Sequence, residues 1–74
     1  MWKEINKALV QEYKFKDFKS ALDFVNKIGK LAEKENHHPD IELGWGRVKV
    51  SISSHSEGKI TEKDHQLSRL LDEL

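Results

Sequence analysis

Residues 33–64 read EKENHHPDIELGWGRVKVSISSHSEGKITEKD, and this stretch decides both the fold and the position of a candidate site. It holds three of the four histidines of the chain: the adjacent pair His37 and His38, and His55 further on. Histidine has an unperturbed pKa close to neutrality, so it can donate or accept a proton at physiological pH. A histidine pair followed at once by Pro39, with a third histidine after a hairpin-like segment, indicates a site assembled from separate elements.

The segment between the pair and His55 alternates apolar and polar residues, which is the pattern of half-buried β-strands. One series has apolar side chains at positions 41, 43 and 45, and a second has them at 48, 50 and 52. Gly44 and Gly46 flank Trp45 at the position where the chain would turn. The segment therefore predicts an antiparallel hairpin, with Trp45 packed beside the site and His55 at the end of the second strand.

The segment before the pair has the three- and four-residue spacing of an amphipathic helix that packs on a sheet. Asp17 can cap its N-terminus, and Pro39 restricts His38 to extended geometry, so the helix should run to about Glu35. Its apolar face comprises Phe18, Ala21, Leu22, Val25, Ile28 and Ala32. Residues 2–15 predict a strand or a short hairpin, with Asn6-Lys7 the best candidate for its turn.

The segment after His55 predicts a loop and then a second helix. Thr61 and Asp64 have a spacing close to that of a capping box, in which a hydroxyl and an acid satisfy the first backbone N–H groups. We interpret Asp64 as a helix-start residue and His65 as exposed on the helix. The apolar stripe of this helix consists of Leu67, Leu70, Leu71 and Leu74.

The resulting order, β(β)-α-β-β-α, predicts an α+β fold in which two helices pack on one face of a small antiparallel sheet. The length of 74 residues allows one domain, 1–74. Lys and Arg total 13 and Asp and Glu total 13, so the formal net charge is zero. The basic excess that indicates a nucleic-acid partner is absent, and no such partner is expected. A core this small is marginal and the chain has no cysteine, so oligomerisation is expected. The lack of a long apolar run favours a cytoplasmic protein without membrane contact.

Seven residues at fixed spacings resemble the pattern of the pterin-4a-carbinolamine dehydratase family, and the likeness covers nearly the whole chain. They are Glu33, His37, His38, Pro39, Trp45, His55 and Asp64. The resemblance implies an α+β fold, dimers that join their sheets edge to edge, and tetramers formed through helices. It implies dehydration of 4a-hydroxytetrahydropterin to quinonoid dihydropterin. Animal members also serve as the dimerisation cofactor of a homeodomain transcription factor.

The resemblance also implies roles for individual residues. The histidines of the family fall on His37, His38 and His55, which are the expected catalytic residues. The expected substrate-binding residues are Asn36, Ser53, Ser54, Ser56, Glu33 and Trp2. The chain departs from the family in having Asn36 where animal members have an acid, Ser54 for a usual threonine, and Lys59 near a usual glycine. Comparison with the family pattern also leads us to expect that the N-terminal helix of longer members is missing.

The chemistry suits these residues, because loss of water from a carbinolamine needs one proton delivered to the hydroxyl and one removed from nitrogen. Two imidazoles in opposite protonation states can perform both transfers, each worth about 10²–10⁴-fold, and no cofactor is needed. We interpret His38 and His55 as the acid and the base, in either order, and His37 as a residue that binds or orients substrate. Glu33, one helical turn before His37, can orient an imidazole and raise its pKa.

Other interpretations of the same residues stay open. A metal site would use the histidines, but there is no cysteine and no HExxH-type spacing, so no metal is expected. A non-catalytic oligomeric interaction module would bind another protein through its helices, by the leucine stripe of the second one. A dehydratase-like protein acting on another pterin would have the same histidine site. For the enzyme, the expected partners are a pterin and further copies of the chain, as a homodimer or homotetramer.

Overall fold

The computed structural model describes residues 1–54 and 56–74. Its elements follow the predicted order, including a hairpin at the start of the chain. They are β1 (Lys3–Ile5), β2 (Ala8–Lys14), α1 (Phe18–Glu35), β3 (Asp40–Gly44), β4 (Arg47–Ile52) and α2 (Glu62–Asp72). This arrangement confirms the α+β prediction.

The four strands form one antiparallel sheet in the order β1-β2-β4-β3. Alternate residues of a strand point to opposite faces, so Val48, Val50 and Ile52 of β4 share one face, and all three are fully buried. Both helices contribute to the core that covers this face. The core consists of Leu9, Ala21, Ile28, Val48, Val50, Ile52, Leu67 and Leu71. The predicted two-layer packing is therefore present, with β4 at its centre.

The turn between β1 and β2 lies at Asn6 and Lys7, as the sequence predicts. Both residues have positive φ angles, 51° and 64°, which is the backbone of a two-residue type I′ hairpin turn. Asparagine tolerates this left-handed conformation, whereas the second position of such a turn strongly favours glycine. Lys7 therefore occupies a strained backbone position.

Helix α1 begins and ends through local hydrogen bonds that set the direction of the chain on either side. At its start, Asp17 Oδ1 accepts a hydrogen bond from the backbone N–H of Ser20 at 2.8 Å, which confirms the predicted cap. At its end, Asn36 adopts a left-handed conformation with φ of 55°. The N–H of His37 then bonds to the carbonyl of Ala32 at 3.2 Å, in the pattern of a Schellman motif. The helix end thereby fixes the backbone of His37.

Two glycines provide a matched test of backbone conformation. A Cβ at Gly29, in the middle of α1, would meet no atom of the described residues within 4 Å, so Gly29→Ala should raise the free energy of unfolding by about 1 kcal/mol. A Cβ at Gly58 also meets no atom of the described residues, but the φ of Gly58 is +67°, so Gly58→Ala should lower that free energy by about 1 kcal/mol. Urea unfolding of both variants measures this. Changes of the same sign would contradict the conformational explanation.

Candidate active site

A cavity of about 600 Å³ opens where the end of α1, the segment after β4 and the start of α2 meet. Its volume lies within the roughly 300–1,000 Å³ of small-molecule sites. It brings together six of the residues that the sequence predicts for the site: Asn36, His37, His38, Ser53, Ser54 and Ser56. Thr61, Glu62 and Lys63 line it from the start of α2. The predicted convergence of distant segments on one hollow is therefore present for these residues.

His37 is held against the start of α2 by Asp64. Its Nε2 lies 2.6 Å from Asp64 Oδ1, and its side chain is 16% exposed while that of Asp64 is wholly buried. An ionised carboxylate can only accept hydrogen bonds, so the imidazole donates through Nε2–H. In the neutral ring this leaves Nδ1 as the acceptor nitrogen. The pair thus sets both the orientation and the tautomer of His37.

Asp64 is stabilised in its charged form by three hydrogen bonds. Besides the contact with His37, its Oδ2 accepts from the N–H of Thr61 at 2.8 Å and from Ser54 Oγ at 3.0 Å. Burial raises the pKa of Asp64, but the hydrogen bonds from Thr61, His37 and Ser54 together outweigh it and hold that pKa below its usual range. A buried negative charge is therefore fixed behind the imidazole of His37.

His38 pairs with a different acid. Its Nε2 lies 2.5 Å from Glu33 Oε2, and both side chains are largely exposed, at 56% and 79%. The sequence predicts that Glu33 orients an imidazole, and the structure places it against that of His38. Glu33 is not among the described residues that line the cavity. Its position suits a residue that orients His38 from outside.

Ser54 lines the cavity and also supports the Asp64 carboxylate. Its hydroxyl donates to Asp64 Oδ2 and lies 2.8 Å from the hydroxyl of Thr61, and the residue is buried. Its hydrogen bonds therefore connect β4 to the start of α2 and support the Asp64 carboxylate. The prediction for His55 lies outside the described residues, although its sequence neighbours Ser54 and Ser56 both line the cavity.

Two tryptophans lie away from the cavity. Trp2 Nε1 donates to the carboxylate of Asp72 at 3.0 and 3.1 Å, and its ring packs edge-on against Tyr13, which donates to the same carboxylate. Trp2 therefore attaches the first strands to the end of α2, and it is not among the described residues that line the cavity. Trp45 is 74% exposed in the turn between β3 and β4, at the end of the hairpin far from His37 and His38.

Asp64 contacts a predicted site residue, which the sequence interpretation did not foresee. Its capping role is confirmed, because the Thr61–Asp64 box begins α2. The additional contact with His37 joins residues 27 positions apart, and no local spacing could have revealed it. Within the described residues, no group of three His, Asp or Glu side chains is placed to hold a metal ion. Neither described helix is long and apolar enough to cross a membrane.

The structure is that of a small α+β protein with a cavity lined by His37 and His38, and comparison with known proteins assigns its class. A sequence model described as Pterin 4 alpha carbinolamine dehydratase matches residues 1–74. The chain therefore belongs to the pterin-4α-carbinolamine dehydratase family.

Individual relatives agree with this family. A protein of Alkaliphilus metalliredigens named for pterin-4-alpha-carbinolamine dehydratase is 47% identical over 72 residues, which cover 96% of this chain and 65% of the relative. One of the same name from Rubrobacter xylanophilus is 44% identical, over 89% of this chain and 62% of the relative. The chain thus spans slightly less than two thirds of these relatives.

A solved structure is similar over most of the chain. It is titled a transcriptional coactivator/pterin dehydratase from Brucella melitensis and superposes with a TM-score of 0.89 at 34% identity. The match covers 96% of this chain and 78% of the solved one. The likeness supports the topology described above.

Proposed function

We propose that this protein is a hydro-lyase that converts a 4a-hydroxytetrahydropterin to the quinonoid dihydropterin. The observation that carries the proposal is the pair of adjacent histidines on one cavity wall, each with its own carboxylate. His37 is paired with the buried Asp64 and His38 with the exposed Glu33. Membership of the dehydratase family and the relatives' names support the same reaction.

The reaction requires two proton transfers around one carbon. A general acid protonates the hydroxyl oxygen on C4a, the C–O bond breaks with its electron pair on oxygen, and water leaves. A general base removes the proton from the neighbouring nitrogen, whose electrons form the C=N bond. The net change is the loss of one water, with no change in oxidation state. We assign the two transfers to His38 and His55, and the binding or orientation of substrate to His37.

The two carboxylates support different steps. The Asp64 charge holds His37 in one tautomer, so this imidazole presents a fixed hydrogen-bonding pattern to the substrate. The Glu33 carboxylate lies against Nε2 of His38 and orients this imidazole beside the cavity. Asn36, Ser53 and Ser56 line the same cavity and supply polar groups for the amide edge of the pterin.

A direct assay tests the proposal. The carbinolamine is generated in solution, and formation of quinonoid dihydropterin is followed by absorbance with and without the protein. The expected result is an acceleration proportional to protein concentration. A rate equal to that of buffer, with protein shown to be folded, would reject the dehydratase function.

We also propose that the protein is a homodimer or homotetramer. Strand β3 lies at the end of the sheet and is paired only with β4 among the described strands, so its outer edge can pair with another copy. Phe18 and Leu22 on α1 are 44% and 39% exposed, an apolar surface in a protein with a small core. Light scattering at micromolar concentration should give two or four times the chain mass of 8.6 kDa. A mass of one chain would contradict this.

A further inference from the structure

A second, smaller cavity of about 230 Å³ adjoins the first. It is lined by Asn6, Lys7, Ser53, Ser54, Gly58 and Lys59. Ser53 and Ser54 also line the larger cavity, so the two cavities share part of their walls. The smaller cavity therefore lies next to the position of a ring system that fills the larger one, where a substituent of that ring would extend.

The described lining of this second cavity carries positive charge alone. It contains two lysines and no carboxylate. The larger cavity differs, since Glu57 and Glu62 line it together with Lys63. Within residues 1–54 and 56–74, neither Lys7 nor Lys59 forms an ion pair of the kind that neutralises Lys14 and Lys19. Two uncompensated ammonium groups beside an amide and hydroxyl groups are suited to an anion.

Both lysines are held at the cavity by their backbones. Lys7 sits at φ of 64° in the β1–β2 turn, a position that glycine would occupy with less strain. Lys59 pairs with Ser54 in an isolated antiparallel bridge. That bridge closes a turn in which the Ser54 carbonyl accepts from the N–H groups of Glu57 and Gly58, at 2.9 and 3.0 Å. Strain at a non-glycine residue is a recognised sign of a functional position.

We propose that this second cavity binds a phosphate monoester on the side chain of the pterin, so that phosphorylated pterins are the preferred substrate class. The proposal rests on the proposed function for the position of the ring, and it adds the identity of the substituent. The ammonium groups of Lys7 and Lys59 and the side-chain amide of Asn6 would donate to the phosphate oxygens. Both lysines are exposed, so their contribution is screened by salt.

The experiment compares 7,8-dihydroneopterin with its 3′-phosphate by fluorescence titration. At low salt the phosphorylated compound should bind about three- to tenfold more tightly, as two exposed charge pairs allow, and the difference should shrink at 0.5 M salt. Lys7→Gly and Lys59→Gln should each reduce this ratio. Lys7→Gly should at the same time raise the urea midpoint, because it relieves the turn. Lower affinity with higher stability cannot result from misfolding.

Control variants separate this site from general surface charge. Lys16→Gln, which removes a lysine that lines neither cavity, should leave the ratio unchanged. Equal affinity of the wild type for both compounds would overturn the proposal. So would a ratio of the two affinities that falls only in Lys63→Gln, because Lys63 lines the larger cavity and not the second one. If neither pterin binds, the proposed function fails. In that case inorganic phosphate that shifts the amide resonances of Gly58 and Lys59 would support the anion site alone, and no shift would remove it as well.

Discussion

Replacing His38 by alanine is expected to lower kcat for carbinolamine dehydration by about 10²–10⁴-fold, the usual contribution of one general acid–base group. His38 lines the cavity and its side chain is 56% exposed, so its removal should change the free energy of unfolding by less than about 0.5 kcal/mol. The loss would therefore reflect chemistry rather than folding. Absorbance at saturating carbinolamine measures kcat, and urea unfolding measures stability.

His65→Ala is the matched control, since this histidine lies exposed on α2 and does not line the cavity. It should retain wild-type turnover. If His38→Ala also retains wild-type turnover above the buffer rate, His38 is not the acid or the base, and the assignment of both transfers to His38 and His55 is wrong.

Asp64→Asn should lower the free energy of unfolding by about 3 kcal/mol. The carboxylate is fully buried, and three donors would lose a charged acceptor: His37 Nε2, the Thr61 N–H and Ser54 Oγ. Hydrogen bonds to charged groups and buried ion pairs are the interactions whose one-sided removal costs most. Turnover should fall as well, because the imidazole of His37 would lose the acceptor that selects its tautomer. Urea unfolding and kcat/KM at neutral pH measure the two effects.

The Asp64 carboxylate also makes the free energy of unfolding depend on pH. The pKa of Asp64 is lower in the folded protein than the roughly 3.9 of a free Asp side chain, so the unfolded state binds the proton first. The contribution of the ionised Asp64 to the free energy of unfolding is complete above about pH 4. It is lost as the pH falls through the lower pKa that Asp64 has in the folded protein. Wild-type stability should therefore drop below pH 4, and Asp64→Asn should lack this component.

Asp23→Asn provides the control for this pair of measurements. Asp23 is an exposed carboxylate paired with Lys19 at 3.2 Å on the surface of α1, and such pairs contribute little. Its replacement should leave both the neutral stability and the acid response near wild type. An Asp64→Asn variant that behaves like Asp23→Asn would show that the buried network is not a stabilising unit.

The elements were largely predictable because their signals are local. The alternation at 41–45 and 48–52 predicts β3 and β4, and the three- and four-residue spacing after Asp17 predicts α1 with its end at Glu35. The means by which α1 stops was not predicted. Pro39 explains why the helix cannot continue past His38. The helix ends earlier, at Asn36, whose left-handed backbone sets the direction of the chain at His37 and His38. Leu22 and Leu74, expected on apolar stripes, are 39% and 47% exposed, since periodicity does not say how wide the covered face is.

The sequence predicted which segments surround the cavity, but not how their side chains pair. Residues 36–38 and 53–56 resemble the site segments of the family, and the described members of both line one cavity. The contacts of Trp2 were not predictable, because its partners Tyr13 and Asp72 lie 11 and 70 positions away and are brought to it by the docking of β1 and α2. The cation-lined second cavity was missed for the same reason, since Lys7 and Lys59 meet only through the sheet and the closed turn.

The amino-acid sequence by itself determined which segments form strands and helices, which faces are apolar, and which segments carry the histidines and serines of the candidate site. These properties follow from periodicity and capping, which act over a few residues. Only the tertiary structure decided that the buried Asp64 holds His37 while Glu33 holds His38. The reason is physical: a carboxylate loses its hydration on burial, and the donors that compensate it come from whichever elements pack against it.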